Sequence, residues 1–128
     1  MITAWRICKT KHPPFDGTGA RLVGARWNSP GRPMIYAADS FAGAILELLA
    51  HAARPRTLPG AHHAFRIDVP DDLVEVADPA AIPGWDRKES PVALSLGDTW
   101  LQQRRSAALV VPAIPSRPVG RNVLINPE

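Results

Sequence analysis

The chain has 128 residues, 45% of them hydrophobic, and a formal charge of +3 carried by 12 arginines against 3 lysines. That is one domain's worth of chain, read as a single domain over 1–128, with enough apolar residues for a packed core; disorder is excluded, and 14 prolines with 9 glycines predict short elements joined by turns rather than a helical bundle. The single cysteine, Cys8, excludes an intrachain disulfide, and no apolar run approaches the ~20 residues of a membrane span, so a cytoplasmic protein with no membrane contact is expected.

Residues 3–8, TAWRIC, alternate as a strand with Ala4, Arg6 and Cys8 on one face and Trp5 and Ile7 on the other; Cys8 is expected as a small core residue. Residues 9–24 read as a polar, glycine-rich loop, and RPMIYAA (32–38) as a short buried strand. Asp39 or Ser40 then caps a helix of about 12 residues, FAGAILELLAHA, with Phe41, Ile45, Leu48 and Ala52 on one face. HAFRIDVP (63–70) predicts a strand with Phe65, Ile67 and Val69 on one side, and LVEVA (73–77) a further strand. Residues 78–95 read as loop. GDTWLQQRRS predicts a short helix capped by Asp98, AALVVPAI a buried strand and RNVLINP an edge strand. The fold class is mixed α+β, with short, mostly antiparallel strands and a few helices.

Several motifs fail on inspection. The loop DGTGARLVGA begins a GxG, but Leu22 stands where the third glycine belongs, and the stretch does not lead directly into a helix. The four histidines, His12, His51, His62 and His63, fall at no recognised zinc spacing, so no metal is expected. His51 lies four residues after Glu47 and is read either as its partner or as a histidine favoured by the helix C-terminus. No GxSxG elbow occurs. Arginine forks suit phosphate or carboxylate better than lysine does, but basic residues are scattered rather than clustered, which weakens a nucleic-acid reading. Glu47 stands among Ile45, Leu46, Leu48 and Leu49, where a carboxylate is costly unless paired. It is either half of a structural ion pair or part of a site.

The stretch ARWNSPGRPMIYAADSFAGAILELLAH resembles the signature of RES-domain proteins, the toxin half of RES–Xre toxin–antitoxin pairs. WRI near the start, LGDTWL at 96–101, LVVPAIPS at 109–116 and NVLINP at 122–127 extend the resemblance over nearly the whole chain. It implies a fold similar to diphtheria-toxin-type ADP-ribosyltransferases and cleavage of the nicotinamide–ribose bond of NAD, with water, phosphate or a protein side chain as acceptor. It assigns Glu47, Tyr36 and Arg26 to catalysis, and Arg6, Arg26, Tyr36 and Asn28 to binding NAD. It also implies an Xre-like antitoxin that occludes the site and carries any DNA contact.

Three departures stand out. Ala113 occupies the position of a family serine, with Ser116 close by and Ser90 or Ser95 as substitutes; Ala25 replaces a glycine; and the chain stops right after Asn-Pro. Ala113 opens an alternative, a module that binds NAD or antitoxin with weakened chemistry.

Overall fold

The computed structural model describes residues 1–50 and 61–128. The expected helix end at 51–52 and the Glu47–His51 pairing lie outside the described residues. Strand β1 (Ile2–Lys9) is followed by helix α1 (Thr18–Val23), β2 (Ile35–Ala38), α2 (Phe41–Ala50), β3 (His62–Val69), β4 (Val74–Val76), α3 (Pro91–Gln103), β5 (Ala108–Pro112) and β6 (Arg121–Ile125). The strands form one six-stranded sheet in the order β3-β1-β2-β6-β5-β4, antiparallel except for the parallel β4–β5 pair. The expected mixed α+β class with mostly antiparallel strands therefore holds.

Pleating sorts the side chains into two clusters. One joins Leu109, Val111 and Leu124 of the sheet to Trp27, Met34 and the α3 residues Ala93, Trp100 and Leu101. The other gathers Ala4, Ala37, Val110 and Val123. Strand β5 is buried along its whole length, as a continuous apolar run predicts. In β3, Phe65, Ile67 and Val69 turn inward while Ala64, Arg66 and Asp68 are exposed, matching the predicted alternation.

Several expectations are corrected. The loop assigned to 9–24 contains α1, which starts directly after Gly17. The helix around Asp98 begins seven residues earlier: Ser90 is its cap, accepting from the Ala93 N–H at 3.2 Å, and Pro91 takes the first helical position, where its missing N–H is harmless. Asp98 sits mid-helix, with its carboxylate on the Ser29 N–H at 2.9 Å and hydroxyl at 2.5 Å. Strand β6 is interior, paired with both β2 and β5. Cys8 is half-buried and lines a cavity with Arg6 and His12 instead of joining the core.

Ser40, of the two expected caps, starts α2: its hydroxyl accepts from the Gly43 N–H at 2.9 Å, while Asp39 binds the Arg121 N–H and guanidinium. The buried face of α2 is rotated from the expected one. Gly43 and Ala44 are buried, Ile45 and Leu48 are half-buried and Phe41 is exposed, its ring edge-on to Trp5. Glu47, three residues after Ala44 and four after Gly43, thus lies on the face turned to the sheet.

Candidate active site

Two cavities of about 190 and 210 Å³ meet beside α2, sharing Tyr36, Glu47 and Asn122 in their walls. Each alone is smaller than the ~300 Å³ at which ligand sites begin; adjacent across the same three residues, they are described together as the two lobes of a cleft. The first lobe is lined by Trp5, Arg6 and Ala38, the second by Arg26, Trp27 and Pro112. The cleft therefore places a carboxylate and a phenol ring at its centre and one arginine in each lobe.

Glu47 is half-buried, and its Oε1 accepts from the Asn122 Nδ2 at 3.0 Å. Asn122 itself is 8% exposed. It stands in a cross-strand row with Trp5, Ala38 and Val111, set by the pairings Trp5–Ala38, Ala38–Asn122 and Val111–Asn122. Sequence reasoning missed Asn122. Its available signal was an amide inside an apolar strand, at a place where a lone polar group is costly.

Both arginines are anchored by backbone carbonyls. Arg6 donates from Nε to Pro14 O at 2.6 Å and from Nη1 to Tyr36 O at 3.0 Å. Arg26 donates from Nη1 to Trp85 O at 2.7 Å and Arg87 O at 2.6 Å. A guanidinium carries five N–H donors, so each keeps three for another acceptor. Burial pulls the Arg6 pKa down from its ordinary value, opposed by Cys8 and Asp16. Arginine stays charged through such shifts.

Tyr36 lends the cleft its ring, not its hydroxyl. The O–H donates to Asn28 Oδ1 at 2.5 Å and accepts from the Trp27 N–H at 3.3 Å. Burial above all, with the charge of Asp98, pushes its pKa well above the ordinary tyrosine value against the lowering effect of the Trp27 N–H. A phenol so held is a poor proton-transfer group near neutral pH.

Asn28, expected to bind nucleotide, is fully buried and lines neither lobe. Its Nδ2 donates to Ala20 O and Arg32 O, both at 2.9 Å, and to Ser29 O at 3.3 Å. Every polar atom of that side chain already has a partner within the fold.

The serine substitutes are also set aside. Ser90 caps α3 and donates to Gly84 O, Ser95 is exposed, and neither they nor Ser116 line the cleft. Ala113 is 1% exposed, between the cleft residues Pro112 and Ile114. Among the described residues, no cluster of three or more His, Cys, Asp or Glu is placed to hold a metal ion, and no helix is long and apolar enough to cross a membrane.

Comparison with known proteins places this geometry. A solved chain in the M. tuberculosis MbcT–MbcA toxin–antitoxin complex shares the fold, with a TM-score of 0.76 at 23% identity over 97% of this chain and 73% of that one. The Prs ADP-ribosylating toxin of Sphingobium sp. (strain YBL2) is 40% identical, with 96% of this chain matching 81% of that protein. A protein named Toxin Res from Pseudomonas putida is 36% identical, over 97% of this chain and 83% of its own length. The model of the RES domain matches residues 3–128, and the chain belongs to the RES-domain family.

Proposed function

We propose that this chain is the toxin of a toxin–antitoxin pair and that it breaks the nicotinamide–ribose bond of NAD in the cleft beside α2. The observation that carries this reading is Glu47, a half-buried carboxylate where two lobes meet, each lobe holding one arginine. The related toxins, one of them named for ADP-ribosylation, support it.

The chemistry suits the residues. As the glycosidic C–N bond breaks, its electron pair leaves with nicotinamide. The pyridinium charge is thereby neutralised and positive charge develops on the ribose. A carboxylate beside that sugar stabilises the transition state more in a desolvated cleft than in water. The remaining N–H donors of Arg6 and Arg26 hold the two phosphates by forked hydrogen bonds, and the Tyr36 ring stacks on nicotinamide. Nicotinamide departs neutral, so no general acid is needed, consistent with a tyrosine hydroxyl engaged elsewhere. An oxygen nucleophile then bonds to the ribose carbon, giving hydrolysis, phosphorolysis or ADP-ribosyl transfer according to whether it is water, phosphate or a protein side chain.

The partner is an Xre-like antitoxin whose tail enters the cleft and which supplies any DNA contact; the pair acts in the cytoplasm. Incubating the purified chain with NAD, with and without phosphate, and weighing the products tests the reading. Free nicotinamide is expected, and the mass of the ADP-ribose product names the acceptor. NAD left intact over hours overturns it.

A further inference from the structure

Among the described residues, the Asn122 side chain bonds no backbone group. Its two neighbours in the row across the sheet, Ala38 and Val111, are apolar, and so is Trp5 beyond Ala38; the row turns polar only at Arg66, exposed on the outer strand β3. A valine or alanine there would continue the pattern without a desolvation cost. Instead the position carries an amide that is 8% exposed. Among the described residues its side chain makes one hydrogen bond, from Nδ2 to Glu47 Oε1 at 3.0 Å, while its buried Oδ1 has no hydrogen-bond partner.

The amide orientation follows from this pairing: turned over, its oxygen would face the oxygen of a carboxylate. A buried carbonyl left unpaired is destabilising, so the fold alone gives no reason to retain the residue. The partner of the amide is 75 positions away in sequence, on α2. The bond therefore ties the helix that carries Glu47 to the central strand β6.

We infer that Asn122 is a positioning residue: its N–H fixes the Glu47 carboxylate at the junction of the two lobes, in the orientation that faces the ribose of the substrate. The inference rests on the proposed NAD cleavage and deepens it. Asn122 acts only through Glu47 and makes no contribution of its own to holding NAD. Misplacing a reacting group by about an ångström costs ~10²-fold in rate. Asn122→Ala is accordingly expected to lower kcat by ~10–100-fold with KM unchanged, the signature of an interaction felt in the transition state.

The deciding experiment is a double-mutant cycle on NAD turnover. It compares the unsubstituted chain, Glu47→Gln, Asn122→Ala and the double variant, with thermal unfolding of each as the check on folding. Positioning predicts strong non-additivity: once Glu47 is replaced, removing the Asn122 amide costs nothing more. Additive losses, or a loss confined to KM, overturn the inference while leaving NAD cleavage standing. No turnover by the unsubstituted chain overturns both. If Asn122→Ala does not fold, the near-isosteric Asn122→Asp takes its place in the cycle. It removes the donor at constant volume and is expected to show the same fall in kcat; full activity in that variant overturns the inference.

Discussion

Two buried asparagines, Asn28 behind Tyr36 and Asn122 in the lining of the cleft, make the most instructive comparison in the molecule. Asn28 is saturated: three carbonyls accept from its Nδ2 and the Tyr36 hydroxyl donates to its Oδ1. It locks the turn that carries Arg26 and Trp27. Asn122 is nearly as buried, but its amide meets only the Glu47 carboxylate among the described residues. Buried polar groups persist either because they complete a network or because something other than stability retains them. Asn28 is of the former kind and Asn122 of the latter, so substitutions around Asn28 should act through folding and substitution of Asn122 through turnover.

The comparison can be broken in three places. The largest effect is expected where the Trp27–Asn28 turn meets α3. A Cβ at Gly97 would collide with the Trp27 carbonyl, a backbone atom that cannot swing aside. Gly97→Ala should therefore destabilise the fold by about 3 kcal/mol, at the top of the usual overpacking range, and should distort the Arg26 lobe. Chemical denaturation reads the first effect and NAD affinity the second; a variant as stable as the parent contradicts the packing.

Next is Asn28→Ala, which strands several buried partners and should cost ~1–3 kcal/mol, with residual turnover following only the folded fraction. A selective loss of NAD binding in fully folded protein would return Asn28 to the binding set.

The smallest effect concerns pH. The folded-state pKa of Tyr36 is raised above its unfolded value, so its contribution to stability is complete below pH ~10 and is lost as pH climbs toward the folded value. Tyr36 is the only tyrosine in the chain. Tyrosinate absorbance should thus stay silent above pH ~10 until the protein unfolds. Ionisation at the ordinary value in folded protein would mean the hydroxyl is not buried in the Asn28 network.

Local chemistry made much of this legible in the sequence. The alternation of β3, the apolar run of β5 and the Ser40 start of α2 each follow from a few adjacent residues. Two of the misreadings concern partners distant in the chain, whereas the missed α1 and the Ser90–Pro91 start of α3 carry local signals. Asp98 resembled a helix cap because Ser29, which takes its carboxylate, is 69 residues away. Strand β6 read as an edge because nothing in RNVLINP reveals that β2 and β5 flank it.

The site divides the same way. Glu47 could be singled out as a carboxylate among leucines. Asn122 gave only a faint signal, an amide in an apolar strand, because its partner lies 75 positions away. The sequence resemblance grouped Asn28 with Arg26 as ligands of NAD, and only burial separates them: the arginine reaches the cleft and the asparagine holds the turn.

The central claim is that the Glu47 carboxylate drives departure of nicotinamide. Nicotinamide released from NAD by the purified chain and by Glu47→Gln, measured side by side with unfolding curves for both, tests it most directly. The account predicts release by the parent and a loss of ~10²–10³ in the variant at nearly unchanged stability. Equal release by the two proteins would contradict it.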